Sequence, residues 1–254
     1  MWYSYFIFVC FFLEKGSSQQ LKIIHGAPVI APYQAEISIQ DGRNEKRCGG
    51  SLIKKKYVLT AAHCFDGRNE NTVVAVVLGT NNLSSNDGQW MEILSDDIII
   101  HKNYSNSGLE NDIALIRLST DADLNDYIQL INLQREDAHL SGKTVLATGF
   151  GLINDSEEIS DLLLGVNLTL IPNNLCSIGY KNIFDTQICT LGKDDKSPCR
   201  GDSGGPLVDV ETGLQVGIIS YGTKYCEIGW PTVNIRVSKY IEWIETSAIE
   251  KTQL

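Results

Sequence analysis

The sequence predicts an all-β chain that ends in one helix, and three observations carry that prediction. Short runs rich in Val, Ile, Leu and Thr recur along the chain, clusters of Gly, Asn, Asp and Ser separate them, and helical periodicity is convincing only near the C-terminus. Many short strands with turn signals between them suit a barrel or a sandwich, and 22 glycines against 6 prolines suit tight turns. Taken in order, Ala35, Ile37 and Ile39 alternate with polar residues at the period of a half-buried strand. Tyr57 to Thr60, Val73 to Leu78, Ile98 to Ile100 and Ile113 to Leu118 are short apolar runs with β-branched residues, of strand length. The same holds for Thr144 to Thr148, Val166 to Leu170, Leu207 to Val210, Val216 to Ser220 and Thr232 to Val237. Asp41 to Asn44 and Ser84 to Gly88 read as turns. Val237, Tyr240, Ile241, Ile244 and Ala248 fall on one face of the terminal helix, with Ser238 available as its N-cap. No internal repeat, low-complexity tract or linker breaks the chain, so one compact unit is expected.

Charge narrows the functional classes. Of 254 residues, 21 are Lys or Arg and 31 are Asp or Glu, a formal net charge of −10. That balance opposes phosphate, so nucleic-acid binding driven by counterion release is not expected. Trp2 to Leu13 is a continuous apolar run, shorter than the about 20 residues that a membrane-spanning helix needs. No Lys or Arg precedes it, but Gly16-Ser17-Ser18 follows, whose small residues suit signal peptidase. Residues 1–18 therefore read as a secretory signal peptide, and the protein as secreted and extracellular, with no stable membrane association. Cysteine usage agrees. Cys10 lies in the signal, which leaves Cys48, Cys64, Cys176, Cys189, Cys199 and Cys226. An even number in a secreted chain suggests three disulfides, with the pairing left open by spacing alone. No Cys-x-x-Cys pair occurs, and Cys64 alone has a histidine neighbour, so no structural zinc site is expected. Asn82, Asn103, Asn154 and Asn167 are available glycosylation acceptors.

The most informative segment is Gly201-Asp202-Ser203-Gly204-Gly205-Pro206. A serine bracketed by glycines can sit in a sharp turn where backbone N–H groups converge, a nest able to stabilise an oxyanion. Its hydroxyl is a weak nucleophile unless a base takes the proton. The chain has 4 histidines, His25, His63, His101 and His139. His63 closes the apolar run Leu59 to Ala62 and precedes Cys64, whereas the other three lie in polar stretches and read as solvated. The imidazole in turn needs a buried carboxylate to hold its tautomer. Asp112 opens the apolar strand Ile113 to Ile116 and would be drawn inward, which is costly unless it is hydrogen-bonded. Asp96 and Asp97 read instead as members of a solvated turn.

These three segments, with Cys48-Gly49-Gly50-Ser51-Leu52-Ile53 and Tyr221-Gly222, resemble the chymotrypsin/trypsin family of serine endopeptidases. The resemblance runs from Ile23 to the C-terminal helix, and the order His63, Asp112, Ser203 is that family's order. It implies two six-stranded antiparallel β-barrels with the active site between them. It also implies that Ser203 attacks a peptide carbonyl, that His63 acts as base and then acid, that Asp112 orients His63, and that the N–H groups of Gly201 and Ser203 bind the oxyanion. Lys22-Ile23-Ile24-His25-Gly26 resembles the family's activation site, with His25 where a glycine is usual. Residues 19–22 would then be a propeptide and 23–254 the protease domain. The new ammonium of Ile23 would pair with Asp202, and the activating protease would have basic specificity. The disulfides implied are Cys48–Cys64, Cys176–Cys189 and Cys199–Cys226. Protein or peptide substrates, protein inhibitors in the cleft and a monomeric state follow from the same resemblance. No metal or organic cofactor is expected, since Gly79 to Gly88 offers only Asp87 as a carboxylate.

In that family the residue six positions before the nucleophile lies at the bottom of the primary pocket, and here it is Ser197. Trypsins have an aspartate there. Desolvating a substrate cation without a counter-charge is expensive, so cleavage after Lys or Arg is disfavoured. Asp194 and Asp195 are expected outside the pocket. Ser220 would line it, Gly222 would leave its mouth open, and Thr232 would make it shallower. An apolar residue before the cut is therefore expected, with Leu or smaller favoured over Phe and Tyr. Arg200 reads as solvent-facing. A protease-fold binder without catalysis would be expected to lack one member of the triad, and all three are present.

Overall fold

The computed structural model describes residues 23–249 apart from His25, Arg43 and Glu157. The predicted signal peptide, the propeptide with Lys22, and His25 lie outside the described residues. After β1 (Ala27–Pro28) come β2 (Gln34–Asp41), β3 (Asn44–Lys54), β4 (Tyr57–Thr60), β5 (Thr72–Leu78), β6 (Gln89–Ile93), β7 (Ile98–Ile100) and β8 (Ala114–Arg117). Strands β2 to β8 form one antiparallel sheet in the order β6-β5-β2-β3-β4-β8-β7. Its two end strands, β6 and β7, are consecutive in the chain through the short turn Ser95–Asp97. The chain, and not a ladder, thus links the edges of this half-barrel.

The second half of the chain supplies β9 (Thr144–Gly149), β10 (Leu164–Ile171), β11 (Gln187–Gly192), β12 (Pro206–Asp209), β13 (Gln215–Tyr221) and β14 (Thr232–Arg236). Strand β9 pairs with both β10 and β12, so these six close into a barrel, and β1 adds to the β10 edge. The predicted all-β class holds. The second barrel has the expected six strands, whereas the first sheet has seven and stays open.

Each sheet wraps its own apolar cluster. Ile37, Leu52, Val58, Leu59, Val76, Leu115 and Ile116 fill the first, and Val145, Ala147, Leu168, Leu207 and Val216 the second. The alternation in β2 is real, with Ala35, Ile37 and Ile39 facing the first core, but its polar partners Gln34 and Glu36 are buried too. Their face is covered by the second barrel: Thr148 Oγ1 donates to Gln34 Oε1 at 2.7 Å, and Ser51 Oγ donates to Gln215 Oε1 at 2.7 Å. Three bonds staple the chain, Cys48–Cys64, Cys176–Cys189 and Cys199–Cys226, which is the pairing the resemblance implies.

Several local expectations change. The turn predicted at Asp41 to Asn44 holds, with Asp41 paired to Asn44 across the hairpin of β2 and β3, but β6 and β11 were not foreseen, because their polar and apolar residues mix too evenly to stand out. The C-terminal helix opens as a 3-10 turn, Val237–Tyr240, before the α-helix Ile241–Ser247. Ser238 does not cap it: its hydroxyl points to Asp137 Oδ1 at 3.5 Å. Among the described residues no helix is long and apolar enough to cross a membrane.

Candidate active site

His63 lies in a short 3-10 turn, Ala62–Phe65, directly after β4, and the Cys48–Cys64 bond ties that turn to β3. Lys46 Nζ donates to the His63 carbonyl at 2.8 Å and holds the turn from the other side. Asp112 precedes β8, where Leu109 and Asn111 adopt left-handed backbone and swing the chain inward. The left-handed region is tolerable for Asn, and the Tyr240 hydroxyl secures Asn111 by donating to its Oδ1 at 3.0 Å. The carboxylate of Asp112 is wholly buried and accepts three bonds: from the His63 backbone N–H at 2.8 Å, from Nδ1 of the ring at 2.7 Å, and from Ser220 Oγ at 2.5 Å. A buried carboxylate so paired fixes both the orientation and the tautomer of the ring.

Ser203 is carried by a turn that only glycines could form. Gly201 and Gly204 have φ of +99° and +84°, and a Cβ on Gly201 would lie 2.8 Å from the Gly151 Cα. The turn is locked by Gly204 N–H to Ile219 O at 2.7 Å, Gly205 N–H to Asp202 O at 2.9 Å, and Gly49 N–H to Ser203 O at 2.7 Å. Among the described residues the N–H groups of Gly201 and Ser203 have no acceptor. The Ser203 hydroxyl donates to Ser220 O at 3.5 Å, a bond too long to hold it firmly.

Beneath this turn lies Asp202, fully buried. Its carboxylate accepts from the Gly151 N–H at 2.9 Å and the Cys199 N–H at 2.8 Å, and no cation pairs with it among the described residues. Burial pushes its carboxyl up to about 6, although both N–H bonds pull the other way. A side chain at Gly149 or Gly151 would collide with this carboxylate. Ile23 and Ile24 are buried alongside, Ile24 bridging to Ser197 and packing with Leu152, Cys199 and Cys226.

Two cavities meet at Ser203. One, of about 180 Å³, is lined by Ser197, Ser220, Gly222, Thr232, Ile219, Trp230 and their neighbours, without a carboxylate. Thr232 Oγ1 shares a 2.6 Å bond with Thr190 Oγ1, and its methyl would lie 3.2 Å from a Cβ on Gly222, so it is the methyl that narrows the walls there. Ser197 turns its own hydroxyl to the Pro198 carbonyl at 2.8 Å. The other cavity, of about 600 Å³, borders His63, Cys48, Gly151 and Gly201. Arg200 is exposed and stands on the rim of both.

Other sequence readings resolve differently. Asp97 is not solvated: it is buried and ion-paired with Arg117. His101 packs against Tyr240 and Trp243, with ring centroids 5.6 and 5.2 Å away, so it is a structural residue and not a solvated one. His139 is exposed as expected. Sequence reasoning missed Lys46 and Thr190, which act only through long-range contacts. The group Asp155, Cys199 and Cys226 could hold a metal by distance, but both sulfurs are in a disulfide, leaving one carboxylate.

A profile of the trypsin family matches residues 24–244. The chain is 36% identical over 239 residues to a chymotrypsin from Phaedon cochleariae, covering 92% of this chain and 84% of that protein. It is 38% identical over 225 residues to a brachyurin from Leptuca pugilator, covering 88% and 96%. The solved structure of HL collagenase matches with a TM-score of 0.79 at 31% identity, over 90% of this chain and 100% of that one. Neuropsin, a serine protease expressed in the limbic system of mouse brain, matches with a TM-score of 0.77 at 29% identity, over 88% and 99%. A likeness that spans both sheets and takes in the buried Asp112–His63 pair and the glycine-flanked Ser203 has one meaning: the chain belongs to the trypsin family and is a serine endopeptidase.

Proposed function

We propose that this endopeptidase is secreted, is activated by a cut after Lys22, and hydrolyses proteins and peptides after apolar residues. Residues 1–18 serve as signal, 19–22 as propeptide and 23–254 as the protease. The Ser203 hydroxyl leaves its weak bond to Ser220 and gives its proton to His63 as Oγ forms a bond to the substrate carbonyl carbon. The carbonyl oxygen, now an oxyanion, takes the N–H groups of Gly201 and Ser203, which have no other acceptor among the described residues. His63 then passes the proton to the leaving nitrogen, the C–N bond breaks, and an acyl-enzyme remains. Water, deprotonated by His63, releases the acid and restores Ser203. Asp112 keeps the ring in the tautomer that this shuttle needs.

Activation is supported by the packing at Ile23. Ile23 and Ile24 are buried between the same stretches, around Gly151 and Cys199, whose N–H groups hold Asp202. Ile23 has a φ of +51°, a costly conformation for a β-branched residue. Cutting after Lys22 relieves that constraint and creates an ammonium for a buried carboxylate that has no cation among the described residues.

The observation that carries the specificity is the lining of the 180 Å³ pocket, where Ser197 and the Thr232 methyl stand and no carboxylate does. The test is hydrolysis of peptides that differ only in the residue before the cut, by protein cleaved after Lys22, with Ser203→Ala as control. Turnover after Leu, Ala, Phe or Tyr, abolished in the control, is expected. Preference for Lys or Arg would overturn the pocket reading, and equal activity in the control would overturn the mechanism.

A further inference from the structure

We infer that Arg47, held by the buried carboxylate of Glu36, makes the cleft on the leaving-group side of Ser203 a subsite for an acidic substrate side chain. The inference rests on the protease reading above and extends it to the residues after the cut. His63 must hand its proton to the departing amine, so the leaving peptide has to lie on the His63 side of Ser203. Of the two cavities that meet there, only the one of about 600 Å³ includes His63 in its lining.

That cleft carries Lys46, Arg47 and Arg200 against one carboxylate, Glu45. Lys46 is committed, its ammonium donating to His63 O at 2.8 Å. Arg47 is arranged differently. Its Nε stands 3.3 Å from Glu45 Oε1 and 3.9 Å from Glu36 Oε1, and its Nη1 is enclosed without an acceptor. Glu45 is half exposed and easily displaced, whereas Glu36 is 4% exposed and both its oxygens lack any hydrogen bond.

The ladder explains the geometry. Glu36 on β2 is opposite Gly49 on β3, and Arg47 is two residues along β3, opposite Ser38, on the same face. Gly49 has no side chain and is pressed against Gly205, where a Cβ would come within 2.8 Å of the Gly205 Cα. The Glu36 carboxylate is left between the two halves of the molecule, where burial pushes it well above the ordinary range and Arg47 pulls it back. A charge buried without hydrogen bonds is costly, and the guanidinium is the group that offsets it. At 3.9 Å the attraction is electrostatic and uses no N–H donor, so Arg47 is anchored while keeping donors for a ligand. A substrate carboxylate in the cleft meets the outer edge of the guanidinium, Nη2, which is not enclosed and has no acceptor among the described residues, and a substrate Lys meets like charge. Glu36 in this account is a positioning residue and Arg47 a specificity residue.

The test uses the full chain cleaved after Lys22 and peptides with Leu before the cut. Each of the first three residues after the cut is varied in turn between Glu, Ala and Lys. A substrate with a small chromophore as leaving group, which does not extend into the cleft, normalises each variant. A kcat/KM ratio of roughly tenfold in favour of Glu over Lys at one of the three positions is expected. Arg47→Gln should bring that ratio close to one, and Glu36→Gln, which preserves shape, should lower it mainly through KM. A ratio near one in the natural protein, or one that survives Arg47→Gln, overturns the inference. Should the chromogenic substrate itself resist hydrolysis, the protease reading fails and takes this one with it.

Discussion

Asp112 shows how much of this site rests on single atoms. Its carboxylate is wholly buried, so every donor aimed at it contributes to holding it in register with His63. Ser220 is the donor most easily removed, because its residue lines the pocket and loss of its hydroxyl takes away one atom. Ser220→Ala should lower kcat by roughly tenfold, as loss of one charge-assisted bond implies, with little change in KM. Steady-state kinetics on an apolar-cut peptide would read this, and an unchanged kcat would mean that His63 alone holds the carboxylate. The residue scale is also where the sequence was most legible. Ser203, His63 and Asp112 were singled out from their neighbours, since a glycine bracket, a strand end and an apolar run each constrain what one polar residue can do. Glu36 was not found, because an alternating strand predicts that its polar positions face water, and only the second barrel shows otherwise.

At the scale of elements, His63 is held less by regular structure than by a staple. The turn Ala62–Phe65 has four residues and no side-chain cap, so the Cys48–Cys64 bond and Lys46 maintain its position. That bond spans 16 residues, a loop for which chain entropy gives about 3 kcal/mol. The double variant Cys48→Ala/Cys64→Ala should lose about that much stability in urea titrations. Its activity should fall further than unfolding explains, because the His63 turn loosens while the rest of the sheet survives. Activity and folded fraction that decline together would argue against a positional role. The C-terminal helix plays a similar part from the far side: the Tyr240 hydroxyl grips Asn111, Tyr57 donates to Ile249 O at 2.7 Å, and Lys54 Nζ to Ala248 O at 2.8 Å. The strand count was only partly readable in sequence. Strands with a clean run or a clean alternation were evident, whereas β6 and β11 become strands through the ladders they complete.

At the scale of the molecule, Asp202 and Glu36 lie in the seam between the sheets, and both are pushed upward by burial: Asp202 to about 6, and Glu36 well above the ordinary range. A carboxyl whose folded value exceeds its unfolded one favours the folded state when protonated. Its contribution is complete below the unfolded value of about 4 and is lost as pH rises through the folded one. For Asp202 the loss from about pH 4 to above pH 6 is about 3 kcal/mol, and Glu36 acts in the same direction. Carboxylates held low, such as Asp137 bonded to Lys239, act in the opposite direction but below about pH 4. In a Ser203→Ala background, the uncleaved chain should therefore lose stability between pH 4 and 7. Cleavage after Lys22 should reduce that loss, because the Ile23 ammonium then balances Asp202. Urea unfolding of both forms across that range is the measurement, and identical pH profiles would argue against the pairing.

The sequence alone determined the class of fold and singled out the residues proposed to react. Strand periodicity, glycine brackets and buried-acid placement are local consequences of backbone geometry and solvation, and they can be read from a few neighbours at a time. The tertiary structure decided what depends on two distant segments meeting. It set the half-barrel whose edges are joined by the chain, the burial of Glu36 opposite Gly49, the Thr190–Thr232 bond that turns a methyl to Gly222, and the capture of Ile23 beside the stretches that hold Asp202. Burial and charge pairing are properties of a packed interface, and no single stretch of chain contains both of its sides.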